Sequence, residues 1–104
     1  MFTFLKKIFG SKEGNDLATY LKSGAVLVDV RTIGEYKSGT AKGAINIPVD
    51  QLSNKLSKLN KESKIIVFCR SGMRSGQAKR VLNQNGYQQV VNGGSVGNVI
   101  KHQK

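Results

Sequence analysis

The chain carries one cysteine, and it stands among arginines: Cys69-Arg70-Ser71-Gly72-Met73-Arg74-Ser75. A free thiol has a pKa near 8.5 and reacts as the thiolate, so a reactive cysteine needs a source of stabilisation for negative charge. Arginines and a helix N-terminus both supply it. Gly72 permits a backbone turn that residues with a Cβ resist, and successive N–H groups in such a turn converge into an anion nest. The N–H groups from Arg70 through Ser71, Gly72 and Met73 to Ser75 are the candidates for that nest. Arg70 and Arg74 add planar cations matched to oxyanions. Ser71 and Ser75 bring hydroxyls to the same place, although Ser75 is equally a candidate helix N-cap. The segment reads as a thiolate on the floor of a small bowl built to hold an oxyanion. The bland alternative is a core cysteine after a strand, since free cysteine is among the most buried residues. That alternative leaves two arginines and a glycine within five residues without a reason.

Counting removes other chemistries. One cysteine excludes an internal disulfide and a multi-cysteine zinc site. One histidine, His102, sits near the end of the sequence and leaves little material for a Cys–His dyad, a histidine metal cluster or a Ser–His–Asp triad. No metal and no cofactor is expected, and a nucleophile here must be activated by other means.

The elements around the loop place it. Asn15 or Asp16 can cap a helix carrying Leu17, Tyr20 and Leu21 on one side, with Gly24 as its stop. Ala25 to Val30 is a continuous, β-branched apolar run ending in Asp29-Val30-Arg31, the pattern of a strand buried on both faces. Residues 31 to 43 are polar and glycine-containing. Ala44 to Ile47 is a short strand ended by Pro48, the only proline. Asp50 can cap a helix bearing Leu52, Leu56 and Leu59. Lys64 to Phe68 is a second buried strand that delivers Cys69. Ser75 to Asn85 reads as a helix with Ala78, Val81 and Leu82 inward and Gly86 at its end. Gln89 to Asn92 is a last short strand, Gly93 and Gly94 turn, and a tail helix carries Val96, Val99 and Ile100. Strands alternating with helices at this spacing predict a parallel sheet covered on both faces. Ligands of such sheets sit at the carboxyl ends of the strands, which points to Asp29–Arg31 and to Cys69–Arg74. Asp29 and Arg31 read as a structural ion pair or hydrogen-bonded pair near the loop, with Glu35 likewise structural.

At 104 residues and 11.3 kDa the chain has room for one domain and one core. Residues 1–14 read as an N-terminal segment and linker, and 15–104 as the domain. Phe4, Leu5, Ile8 and Phe9 would share one face of a short helix. Lys6 and Lys7 break that apolar run before it reaches the length of a secretory signal, which predicts an uncleaved, cytoplasmic protein. No run approaches the roughly 18 residues of a membrane span.

Lys and Arg number 17 against 6 Asp and Glu, a net charge of +11. A domain this basic first suggests nucleic acid, an acidic membrane or an anionic substrate. The charge is lopsided: residues 1–50 hold seven Lys and Arg against five acids, residues 51–104 ten against one. Three of the four arginines, Arg70, Arg74 and Arg80, lie in or just after the cysteine loop. Lys55, Lys58 and Lys61 recur at helical spacing as a solvated face. The charge thus splits into a local anion-binding part and a diffuse part that steers small anions, and no nucleic-acid partner is expected.

Four segments in order resemble the rhodanese-like family. Cys69-Arg70-Ser71-Gly72-Met73-Arg74-Ser75 is similar to its C-R-x-G-x-R signature. Val28-Asp29-Val30-Arg31 with Glu35-Tyr36 resembles its D-V-R…E-F/Y segment, Gly43-Ala44-Ile45-Asn46-Ile47-Pro48 its G-A-x-N-I-P, and Asn92-Gly93-Gly94 its terminal glycine pair. The resemblance implies a three-layer α/β fold with a mostly parallel sheet of four to five strands. It implies a sulfurtransferase in which Cys69 attacks the outer sulfur of a donor such as thiosulfate, holds it as a persulfide and passes it to cyanide or a thiol. Arg70 and Arg74 would bind the sulfonate oxygens. Members that prefer mercaptopyruvate carry a Gly-Ser-Gly-Val-Thr loop, so the arginines favour thiosulfate-like donors. Related phosphatases use C-x5-R, where this chain has Ser75, so the tighter loop argues against a phosphatase or arsenate reductase. A sulfur-relay module that receives persulfide from a protein partner is the other reading. Departures are Gly39-Thr40-Ala41 where many members have Gly-His-Ile, no tryptophan after the glycines, with Val96 and Val99 placed to fill its space, and no evident first short strand.

Overall fold

Residues 26–29 are all aliphatic or buried, and residues 65–69 bury every side chain, so neither strand can face water. A computed structural model describes residues 16–104 and shows where these strands go. Strands β1 (Val26–Asp29), β2 (Ile45–Asn46), β3 (Ile65–Cys69) and β4 (Val90–Ser95) form a four-stranded sheet in the order β2-β1-β3-β4. Every pairing is parallel. Helix α1 covers residues 16–22, α2 is Ile33–Lys37, α3 is Met73–Gln84 and α4 is Val96–Gln103. The family-implied three-layer α/β architecture is present. The expected helix over the N-terminal phenylalanines lies outside the described residues.

The alternation along β3 sorts the core into two halves. Ile65, Val67 and Cys69 face a cluster with Val28, Val30, Ile47, Leu52, Ala78, Leu82 and Tyr87, which is covered by α3 and the 49–59 segment. Ile66 and Phe68 face the other cluster, with Leu17, Leu27, Val91 and Val99, covered by α1 and α4. Each of these large side chains contributes roughly 1.5–3 kcal/mol by leaving water. Cys69 is therefore the last α3-facing residue of the central strand.

Several expected elements differ. The helix through Leu52, Leu56 and Leu59 is instead two 3₁₀ turns, Val49–Asn54 and Leu56–Lys58, with Leu52 and Leu59 still buried. The Tyr87 hydroxyl donates to the carbonyls of Leu56 and Leu59, at 2.8 and 2.9 Å, and holds the end of this segment in that form. The 31–43 stretch contains α2, started by a Thr32–Glu35 capping box, a signature present in the sequence as Thr-x-x-Glu. Helix α3 begins at Met73, two residues before the expected start, with Gly72 as its N-cap, so Ser75 lies inside the first turn.

Gly93 and Gly94 do not end β4; they form a bulge within it. Val67 pairs with Asn92 and Cys69 with Ser95, so β4 fits one more residue than β3 between the two pairs. Gly94 has φ +82°, and Gly93 presses against the α4 side of the core. A Cβ on Gly93 would stand 2.8 Å from Val99 Cγ2 and 3.0 Å from Ile66 Cγ2. Both neighbours are buried and β-branched, hence stiff at χ1. Gly93→Ala is expected to cost about 1–3 kcal/mol of stability in urea unfolding, the usual cost of overpacking a core; an unchanged midpoint would show that this contact gives way freely.

Candidate active site

Strand β3 ends on Cys69, and α3 starts four residues later, so the chain must reverse over a short loop. Gly72 makes the reversal with φ +100°, in the left-handed region that glycine tolerates. The turn bends the loop N–H groups back onto the sulfur. The Gly72 N–H donates to Cys69 Sγ at 3.0 Å and the Ser75 N–H at 3.4 Å, with the Ser75 hydroxyl also at 3.4 Å. Burial pushes the Cys69 thiol up. The Ser75 hydroxyl and the N–H groups of Ser75, Gly72 and Ser71 pull it down and together prevail, leaving it below its ordinary value. The first turn of α3 adds the positive end of the helix dipole.

The loop is held from β4. Asn92 Nδ2 donates to the Gly72 carbonyl at 3.2 Å, and Asn92 Oδ1 accepts from the Ser75 hydroxyl at 2.7 Å and from the Gly94 N–H at 2.9 Å. Sequence reasoning passed over Asn92 as a strand end. Its signal was a polar residue breaking an apolar strand just before two glycines.

The loop is held from α2 as well. Arg74 Nη1 and Nη2 donate to Glu35 Oε1 and Oε2 at 2.7 and 3.1 Å, a bidentate pair. Both side chains are partly exposed, at 34% and 29%. The Arg74 guanidinium, with the Thr32 N–H, holds the Glu35 carboxyl at about 2. Arg74 thus reaches the site already paired, while Arg70 and Ser71 are exposed and the Met73 side chain is 82% exposed on the rim.

Asp29 and Arg31 lie beneath this layer and are not open to solvent, at 0% and 6% exposure. Arg31 Nη2 and Nε reach Asp29 Oδ2 and Oδ1 at 2.7 and 2.9 Å. Thr40 Oγ1 donates to Asp29 at 2.8 Å, and Arg31 Nη2 donates to the Gly39 carbonyl at 2.7 Å. Asn46 Nδ2 donates to the carbonyls of both Asp29 and Arg31. This knot ties the end of β1 to the loop before β2. Thr40, in the segment where the sequence departs from Gly-His-Ile, and Asn46 are members that sequence reasoning did not assign. Among the described residues there is no cluster of three metal-ligating side chains.

A buried thiol at the carboxyl end of a central parallel strand, met by the N–H groups of a strand-to-helix loop, places the chain among α/β proteins with a cysteine loop at the end of the sheet. The chain belongs to the rhodanese-like family: the Rhodanese-like domain model matches residues 13–97. It is 34% identical over 74 residues to the thiosulfate sulfurtransferase PspE of Escherichia coli, covering 69% of this chain and 71% of that one. It is 33% identical over 66 residues to the putative sulfur carrier protein YrkF of Bacillus subtilis, covering 64% of this chain and 36% of that longer protein. The human single-domain sulfurtransferase TSTD1 superposes with a TM-score of 0.69 at 33% identity, covering 80% of this chain and 85% of that one. Among the described residues no helix is long and apolar enough to cross a membrane.

Two outcomes follow from the ion pairs. Asp29→Ala strands Arg31 buried and unpaired, so chemical denaturation is expected to show a loss of about 3–5 kcal/mol. A loss under 1 kcal/mol would mean that the knot is not needed. Glu35 is held at about 2, below its ordinary carboxylate value, so its pairing with Arg74 persists as pH falls from neutral and is lost only as pH drops through that value. An NMR titration of the Glu35 carboxyl checks this; a midpoint above 4 would show the pair to be absent in solution.

Proposed function

We propose that this protein is a cytoplasmic thiosulfate sulfurtransferase working through a persulfide on Cys69. The observation that carries the reading is the pair of backbone N–H groups, from Gly72 and Ser75, aimed at the sulfur at 3.0 and 3.4 Å. The Cys69 thiolate attacks the outer sulfur of thiosulfate. A new S–S bond forms at Cys69, the donor's own S–S bond breaks, and its electron pair leaves on sulfite. A thiolate or cyanide then attacks the outer persulfide sulfur and returns Cys69 as thiolate. With one cysteine in the chain there is no internal thiol to take the sulfur, so the acceptor comes from outside.

Arg70 and the donors of Arg74 not taken by Glu35 bind the sulfonate oxygens, and the N–H groups of Arg70, Ser71, Gly72, Met73, Arg74 and Ser75 support the sulfur. Pairing with Glu35 fixes the Arg74 plane in advance, which lowers the ordering cost of binding an anion. The likeness to YrkF supports a second reading, in which Cys69 receives its sulfur from a protein donor and relays it to another acceptor.

Intact mass after exposure to thiosulfate is expected to show one added sulfur atom that cyanide removes, with multiple turnover. Cys69→Ser is expected to abolish both, and sulfur transfer by that variant would overturn the reading. Loading from a persulfide donor, with no turnover on thiosulfate, would select the relay.

A further inference from the structure

A serine hydroxyl has one proton, and two groups compete for the one on Ser75. Ser75 Oγ stands 2.7 Å from Asn92 Oδ1 and 3.4 Å from Cys69 Sγ. The other contacts of Asn92 fix which amide atom faces the serine. Nδ2 donates to the Gly72 carbonyl, and Oδ1 accepts the Gly94 N–H. A flipped amide would set oxygen against a carbonyl and NH₂ against an N–H. Oδ1 therefore faces Ser75, and in that pair only the hydroxyl can donate.

With its proton on Asn92, Ser75 Oγ can only accept from the sulfur. That suits the thiol, whose S–H then has a partner. It does not suit the thiolate, which has no proton to offer and would face an oxygen lone pair. When Cys69 loses its proton to water, the hydroxyl must turn toward the sulfur. Asn92 Oδ1 keeps the Gly94 N–H at 2.9 Å, so the turn leaves no bare buried acceptor behind.

We propose that Asn92 is a positioning residue that makes Ser75 a two-position hydrogen-bond switch, with its proton on Asn92 while Cys69 is a thiol and on the sulfur once it is a thiolate. The device deepens the sulfurtransferase reading and rests on it for its purpose. A very stable thiolate is a poor nucleophile, and an attacking thiol works best when its pKa lies near ambient pH. Competition from Asn92 keeps the backbone cradle from stabilising the thiolate too far. The charged groups around the sulfur are Arg70 and Arg74 on the loop and α3, Glu35 on α2, and the Asp29–Arg31 pair at the end of β1. Strand β4 brings Asn92 and Ser95. A substitution at Asn92 leaves all five charged residues in place.

The pH dependence of Cys69 alkylation by iodoacetamide tests this, and with one cysteine the signal has one source. Asn92→Ala frees the Ser75 proton for the sulfur, so the midpoint is expected to fall by about half a unit to one unit. In a Ser75→Ala background the same substitution only loosens the hold on the Gly72 carbonyl, so the midpoint there is expected to stay or rise and the fall is expected to vanish. An unchanged or raised midpoint in Asn92→Ala, or an equal shift without Ser75, overturns the proposal. Should Asn92→Ala fail to fold, Asn92→Asp keeps an acceptor for Ser75 and Gly94 and grips the hydroxyl harder. Its midpoint is expected to rise more with Ser75 present than without it, and equal rises overturn the switch. Alkylation reads the thiol whether or not the chain moves sulfur, so this proposal and the sulfurtransferase reading can fail separately.

Discussion

A sulfur buried at the end of a central strand can carry negative charge only if donors reach it from inside the protein. Here the donors are the Ser75 hydroxyl and peptide N–H groups, and the aim of the peptide groups is set by one backbone reversal at Gly72. Desolvation and the cradle oppose each other, and the cradle prevails. The rest of the site can be understood as what keeps that reversal in place. A loop this short between a buried strand and a helix has few conformations, and each neighbour removes more of them.

The restraint comes from two sides by different physics. From β4 it is polar and backbone-directed: Asn92 holds the Gly72 carbonyl, and the bulge at Gly93–Gly94 supplies the N–H that satisfies Asn92 in turn. From α2 it is ionic: Arg74 is forked onto Glu35, and Glu35 also accepts the Thr32 N–H that starts its own helix. The short α2 buries no residue of its own, so polar contacts rather than a core face hold it: its cap, the Arg74 pairing with Glu35, and the Tyr36 hydroxyl donating to the Ala44 carbonyl at 2.9 Å. The buried Asp29–Arg31 pair anchors the chain that leads into α2. Such a pair adds little net stability over an apolar substitute, but it fixes one arrangement, since any other leaves a charge bare.

The sequence made the sheet and the cysteine loop legible because both rest on strong local signals. Apolar runs at 25–30 and 64–68 have no alternative to burial, and cysteine, glycine and arginines within five residues narrow the chemistry. The two ion pairs were legible only as residue types near strand ends; that Arg74 would meet Glu35, 39 positions away, depends on the packing of α2, which periodicity over five residues cannot show. The 3₁₀ form of 49–58 was not legible because leucine spacing serves a helix and a pair of turns alike, and the deciding contact is a tyrosine hydroxyl 28 to 31 residues distant. Asn92 was hidden for a similar reason. Its role exists only once the bulge brings β4 against the loop.

The net charge of +11 takes a more specific meaning from this geometry. Two of the four arginines, Arg31 and Arg74, stand in ion pairs and contribute shape more than field. Arg31 is wholly neutralised within the fold. Arg74 keeps part of its guanidinium exposed, so it offers directed donors in a fixed plane at little net charge. Arg70 stands exposed beside the sulfur and supplies the unneutralised charge of the loop. On the proposed sulfurtransferase reading, an anionic donor approaching Cys69 meets a long-range attraction from the lysine-rich second half of the chain, then the exposed Arg70, then the Arg74 donors that Glu35 leaves free and the N–H cradle. Salt screens the first of these within about 10 Å at 0.1 M and the last much less. On that reading raised salt acts mainly on how fast the anion arrives, while the short-ranged cradle and the remaining Arg74 donors, partly shielded from solvent, govern how it is held.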